Sequence, residues 1–363
     1  MGMNVTTAGE LIPERVMREQ RDSSLRRTLL FASGAMVLLL ASVLVSAVLG
    51  AVHISPRAIL AALGGNHAAL STAEQMILLQ VRLPRIVTAG IIGAALSLAG
   101  VLFQGLFRNP MADPYVLGTS GGAAVGAAFG IFLFPATTLL GFSAAASFAF
   151  LGSIVTIILV YSLARTGGKT PMVPLLLAGM AVSIILGEAS SVLVYLGDEV
   201  SFNARNLALW LHGTITAISW PQILLASGML LAGGILCIPL RPVLDLFALG
   251  EEYAQQLGIR IELARAALII VASLFTAAAV LLGGVISFVG LLVPHIIRLM
   301  VGPEHGRLLL LSAICGASYL ILADTVARTV HAPSEFPVGI ITAFIGAPVL
   351  IYLLRRSKRE YAL

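Results

Sequence analysis

The run RAALIIVASLFTAAAVLLGGVISFVGLLVPHIIR, residues 265–298, decides the fold. Between Arg265 and Arg298 stand 32 residues without an acidic or basic side chain other than His295. As one helix the run would rise about 48 Å, well beyond a hydrocarbon layer of roughly 30 Å. Gly283-Gly284 lies near its middle, so the run is read as two membrane spans. The competing reading is one span followed by a re-entrant segment.

Outward from this run, further charge-poor stretches are long enough to cross a bilayer: 29–51, 86–107, 115–134, 139–163, 173–196, 220–240, 307–329 and 337–354. Together they make an all-α polytopic membrane protein of about ten transmembrane helices. Composition agrees. Of 363 residues, 58% are apolar and 11% charged, against roughly a quarter charged in a soluble domain. So few charges cannot cover a soluble core of this size.

The positions of Lys and Arg set the orientation. With ten spans and the N-terminus inside, the 22 basic residues divide into seventeen inner ones and five outer ones, Arg57, Arg82, Arg85, Arg205 and Arg328. Removing the Gly283-Gly284 break would invert everything after it, so the charge bias supports the break. Both termini are expected in the cytoplasm. Residues 1–28 form a cytoplasmic N-terminal extension, 29–356 the transmembrane domain, and 357–363 a cytoplasmic tail. The extension is too polar, and the first apolar run too long, for a signal peptide. The net charge of +5 does not mean nucleic acid, because the basic residues form no stripe. Cys237 and Cys315 lie inside apolar runs and make no disulfide framework.

Two polar stretches interrupt the spans. Residues 53–85 are an outer loop with turn signals at Ser55-Pro56 and Gly64-Gly65-Asn66. Residues 241–263 are the longest inner loop, in which Gly250 and Gly258 bracket a short helical piece. Phe202 to Thr216 reads as a short helix at the outer face. Gly100 and Gly284 each stand ten residues before a proline, Pro110 and Pro294, a faint sign of two pseudo-repeated halves.

Gly118, Gly122, Gly126 and Gly130 fall on one helix face, suited to close helix packing, with a pathway-lining role as the alternative. Gly118-Thr119-Ser120-Gly121-Gly122 fits a G-x-S-x-G pattern without the strand-turn-helix setting of a hydrolase. Gly168-Lys169-Thr170 resembles the tail of a phosphate-binding loop, but Leu163 stands where that loop needs glycine. No ATPase site follows, and any ATP must be hydrolysed by a partner. Glu188 and Asp324 sit at membrane depth, where acids default to functional hypotheses. Asp324 can pair with Arg328 one helical turn on, whereas Glu188 either lines a cavity or bonds to a neighbouring helix. The histidines His53, His67, His212, His295, His305 and His331 show no metal-ligand spacing, so no metal site is expected. Arg82-Leu83-Pro84-Arg85 reads either as interfacial snorkelling or as a docking point for an acidic partner.

These motifs resemble the permease subunits of ABC importers for iron-siderophore, haem and cobalamin. The resemblance runs from Val81 to Arg356. It rests on Arg82-Leu83-Pro84-Arg85, on Gln104 to Pro110 with Ala112-Asp113-Pro114, and on Leu175 to Gly179. It continues through Ala248-Leu249-Gly250 with Ala254 and Leu257-Gly258, and Phe288 to Leu291 with Pro294-His295. It ends on Ala323-Asp324 with Ala327-Arg328, Pro337-Val338-Gly339 and Gly346-Ala347-Pro348.

The resemblance implies a homodimeric permease in the bacterial inner membrane, with a pathway on the two-fold axis. It implies two cytoplasmic ATP-binding subunits and a periplasmic or lipid-anchored substrate-binding protein, with no cofactor held permanently. Arg82, Arg85 and Arg328 would meet the binding protein. Leu249, Gly250, Ala254, Leu257 and Gly258 would couple to the ATPase. Asn109 and Met111 would sit at a cytoplasmic gate, and Pro171-Met172 near a second constriction. Span five with Glu188, the 202–216 segment and span ten would wall the pathway. An iron(III)-siderophore is the expected cargo, with cobalamin and haem behind it. A secondary carrier is the rival reading, and an intramembrane enzyme would need clustered Asp, His or Ser that the spans lack.

Overall fold

Leu83–Leu106, here α4, is the axis of the structure, and its sequence says why. It is apolar on every side and carries Gly90, Gly93, Gly100 and Gly105. A helix apolar all round must be buried, and missing Cβ atoms let neighbouring backbones come close. In the computed structural model, which describes residues 14–50, 52, 54–65, 70–135, 137–196, 200–215 and 219–360, α4 is wrapped by later helices. They are α9 (Trp220–Leu249), α11 (Ile261–Gly283), α12 (Val289–Val301) and α13 (His305–Thr329). A Cβ at Gly93 would overlap the backbone of Gly316 on α13, and one at Gly100 the backbone of Gly290 on α12. His53, His67, Asn66, Thr216, residues 1–13 of the N-terminal extension and residues 361–363 of the tail lie outside the described residues.

The remaining long helices are α1 (Glu14–Val48), α6 (Ala144–Ala164), α7 (Met172–Leu196) and α14 (Val338–Glu360). The shorter ones are α2 (Pro56–Leu63), α3 (Thr72–Met76), α5 (Thr119–Leu133), α8 (Val200–Leu211) and α10 (Glu251–Gln256). Among the described residues, seven helices are long and apolar enough to cross a membrane, and α5, α12 and Val338–Leu353 are shorter apolar helices. Each expected span falls on one of these ten. The chain is an all-α polytopic membrane protein.

The Gly283-Gly284 break is real: α11 ends at Gly283, and Gly284 takes φ 72°, a conformation open to glycine and few others. The fourth span is shorter than expected. Thr138–Leu139 pairs with Phe142–Ser143 in a small hairpin, and α6 begins only at Ala144. The expected repeat register is also corrected. Gly100 lies inside α4 whereas Gly284 follows α11, and Pro110 lies in a turn whereas Pro294 is inside α12. What recurs is a different device. Two of the three shorter apolar helices start from a residue with positive φ, Gly118 (82°) before α5 and Phe288 (71°) before α12. Neither is long enough to cross roughly 30 Å alone. The segments before them, 107–118 and 284–288, carry non-helical backbone.

Burial separates the core from the rim. In the most apolar stretch of Thr72–Leu106, 89% is buried, against 17% for α7. The exposed residues of α7 include Val173, Leu177, Met180, Ile184, Glu188, Val192 and Tyr195, one continuous face.

Candidate functional site

One end of the bundle carries the arginine cluster. Pro84 has no N–H and its ring crowds the carbonyl four residues back. The chain absorbs this with a π-helical turn at Ile77–Arg82, in which the Leu83 N–H reaches Leu78 O. Arg82 and Arg85 then leave the helix toward different partners. Arg82 donates through Nη1 to Ala47 O (2.6 Å) and Val48 O (3.1 Å), and through Nη2 to Val52 O. Arg328 donates through Nη2 to Ser46 O (2.7 Å) and Ser46 Oγ (2.6 Å). The last carbonyls of a helix have no partner within it, and α1 has no basic residue in its own last turn. Two cations from α13 and the π-helical turn supply what α1 lacks.

Arg85 turns the other way. Its Nε lies 3.0 and 3.2 Å from the Asp324 oxygens and its Nη2 2.9 Å from Oδ1, while Nη1 meets Glu335 at 2.7 Å. Arg328 Nε is 3.5 Å from Asp324. The side chain of Asp324 is 1% exposed, that of Arg85 11%, and that of Glu335 43%. The expectation that Arg82, Arg85 and Arg328 all face the outer aqueous phase is therefore corrected. Arg82 and Arg328 are buried, at 3% and 7% exposure, because α1 has carbonyls to satisfy. Only the Arg85–Glu335 contact reaches the surface. Asp324 pairs first with Arg85, a partner 239 residues away that no local pattern announced.

The other end carries the short helix α10. Gly250, at φ 121°, ends α9 and starts α10. Gly258, at φ 86°, closes α10, with its N–H on Gln255 O (3.0 Å) and the Ile259 N–H on Ala254 O (3.1 Å). This double bond pattern with a left-handed glycine is a Schellman cap. Both glycines are thus backbone requirements. Leu249, Tyr253 and Leu257 stand exposed, at 69%, 49% and 55%, whereas Ala254 is fully buried. Ala254 is thus corrected from the partner-facing set: it packs inward and holds the helix down. Tyr253 is the exposed residue that sequence reading missed.

Near this end lies the 107–118 segment. Asn109 is exposed and its Oδ1 accepts the Met111 N–H (2.9 Å), while Asp113 Oδ1 accepts the Tyr115 N–H (2.9 Å). Burial pushes the Asp113 carboxyl up to about 6, and the Tyr115 N–H opposes that rise. Tyr115 in turn accepts the Ile286 N–H at its hydroxyl (3.1 Å), tying this segment to the one before α12. Pro171 is exposed and Met172 half-buried, at the entry of α7. The expected gate residues thus occupy two separate turns at one end of the bundle.

Gly118, at the N-cap of α5, and Gly122, Gly126 and Gly130 within it meet backbone directly. A Cβ at Gly122 would overlap Gly152 on α6, one at Gly126 would overlap Phe148, and one at Gly130 would lie 2.6 Å from Ala144. At Gly118 the approach is to Gly179 O of α7, 2.9 Å. All four face neighbouring helices. Glu188 does the reverse: it stands on the exposed face of α7, with Ile184 and Val192 one turn away on either side.

Comparisons with known proteins agree with this arrangement. The profile of the FecCD transport family matches residues 38–356. A cobalamin import system permease protein of Halobacterium salinarum is 44% identical over 282 residues, 77% of this chain and 74% of that one. A hemin transport system permease protein of Yersinia pestis is 39% identical over 293 residues, 80% of this chain and 87% of that one. Among solved structures, an inward-facing conformation of a transporter assigned to the metal-chelate type of ABC transporters superposes with a TM-score of 0.77. It is 30% identical and covers 90% of this chain and 99% of that one.

Proposed function

The chain belongs to the FecCD transport family, and from that premise we propose that it is the membrane-spanning permease of an ATP-driven metal-chelate importer. The observation that carries this is α10. A short helix with exposed Leu249, Tyr253 and Leu257 on and beside it, held between two positive-φ glycines, is a knob that no other described residue covers. Such a knob fits a cleft of an ATP-binding subunit. The chain is no enzyme itself; relatives of this kind are permease components, and hydrolysis belongs to a separate subunit.

The exposed face of α7 makes a poor lipid surface, because it holds the carboxylate of Glu188 at membrane depth, which hydrocarbon penalises. A second copy of the chain across a water-filled pathway removes that penalty. We assign α7, the 202–216 segment and α14 to the wall of this pathway, and Asn109, Met111, Pro171 and Met172 to its cytoplasmic constriction. Both termini then lie in the cytoplasm, and the arginine cluster faces the periplasm. There Arg85 is the docking contact for an acidic site on a substrate-binding protein, and Arg82 and Arg328 support it by fixing α1.

The cargo we favour is a corrinoid of the cobalamin type. A carboxylate on the pathway wall disfavours anionic cargo, including haem with its propionates and anionic ferric siderophores, but tolerates an amide-fringed corrinoid. The import system of the Halobacterium relative is named for the same cargo. Vesicles holding the full transporter, loaded with ATP on the cytoplasmic side, should take up cyanocobalamin in preference to hemin and a ferric siderophore. Preference for either iron compound refutes the cargo assignment.

A further inference from the structure

The buried guanidinium of Arg265, near the start of α11, joins three segments distant in the chain. Its Nη2 donates to both oxygens of Glu251, the first residue of α10, at 2.9 Å each. Its Nη1 donates to Thr170 O (2.6 Å) and to Glu262 Oε1 (2.7 Å). The second Glu262 oxygen accepts the Thr170 N–H (3.0 Å). Both polar groups of the Thr170 peptide are therefore gripped, two residues before α7 begins at Met172. The Arg265 side chain is 5% exposed and its partners Glu251 and Glu262 are 28% and 36% exposed, so this contact is partly shielded from solvent and salt.

The geometry points to Arg265 as the positioning residue that carries displacement of α10 to the entry of α7. Helix α10 packs on α9 and α11. Its bidentate link to Arg265 extends that attachment to Thr170, and so to the helix bearing Glu188. The planar guanidinium holds Glu251 on Nη2 and Thr170 with Glu262 on Nη1, so the two ends of the link are fixed relative to each other. The Gly250 junction, by contrast, puts no side chain between α9 and α10. A push on α10 thus reaches Thr170 through the Arg265 guanidinium as well as through the packing on α9 and α11. This inference rests on the reading of α10 as the ATPase-facing helix.

The test uses the permease assembled with its ATP-binding subunits in inside-out vesicles. Ile184→Cys, on the exposed face of α7, is placed in a Cys237→Ser, Cys315→Ser background. Labelling by a membrane-impermeant maleimide is compared without nucleotide and after trapping with ATP and vanadate. In this reference protein the labelling rate should change by about fivefold or more. With Arg265→Gln or Glu251→Gln added, trapped ADP should be retained while the rate change is lost. A full rate change in either variant overturns the assignment. Should Arg265→Gln fail to assemble, Glu251→Gln decides, since it leaves the Thr170 and Glu262 contacts in place. If both variants lose nucleotide trapping, the cluster merely holds the complex together and the assignment falls. A reference protein that traps nucleotide without any rate change overturns it too, whereas one that does not trap at all refutes the ATP-driven reading beneath it.

Discussion

Asp324→Asn is the sharpest single perturbation of the arginine cluster. The wild-type carboxylate lies 2.9–3.2 Å from two nitrogens of Arg85 and 3.5 Å from Nε of Arg328. Asp324 and Arg328 are buried, at 1% and 7% exposure, and Arg85 is nearly so, at 11%. The amide keeps the shape and removes the charge, leaving two buried cations to repel each other. Breaking a buried pair by removing one partner costs about 3–5 kcal/mol. Glu335→Gln acts on the same guanidinium from the wet side, where Glu335 is 43% exposed, and such a pair is worth about 0.2–1 kcal/mol. Equilibrium unfolding in mixed dodecyl maltoside–SDS micelles reads both variants. The reasoning predicts a gap of about 2–4 kcal/mol between them. A cost below about 1 kcal/mol for Asp324→Asn, or equal costs for the two, refutes the claim that this carboxylate neutralises the cluster.

Further outcomes are expected elsewhere. Gly100→Ala should destabilise by about 1–3 kcal/mol, since its Cβ meets the Gly290 backbone rather than a movable side chain; an unchanged SDS midpoint would contradict the packing. Gly258→Ala meets no neighbour but keeps φ 86°, so only backbone strain of about 1 kcal/mol opposes it. It should weaken co-purification of the ATP-binding subunit more than it lowers permease stability, and a purely global loss would speak against a role for α10. Glu335→Gln should unmask Arg85 and raise affinity for the binding protein at low ionic strength; equal affinity there, measured by surface plasmon resonance, would dismiss Arg85 as the docking contact.

The parts of this structure that were legible in sequence are those governed by one-dimensional rules. Apolar run length and charge bias located ten apolar helices, and the Gly283-Gly284 break needed only the observation that 32 residues are too many for one span. Gly250 and Gly258 marked the ends of α10 because positive φ favours glycine. The destinations of the arginines were not legible. Arg85 meets Asp324 across 239 residues, and Arg328 meets Ser46 across 282, contacts that arise only once α1, α4 and α13 pack together. Hydropathy also could not show that α5 starts at Thr119. It counts apolar residues and is blind to a left-handed glycine ahead of them. The Glu262–Arg265 pair was within reach as an (i, i+3) spacing, yet its bridge to Thr170 and Glu251 was not.

The central claim is that transport through this chain is driven by ATP hydrolysed on another subunit. Its most direct test is cyanocobalamin uptake into proteoliposomes holding the permease, its ATP-binding subunit and its binding protein, with ion gradients collapsed by ionophores. The account predicts uptake that needs ATP and stops when the ATP-binding subunit is left out. Uptake by the permease alone, driven by a proton or sodium gradient without ATP, would contradict it.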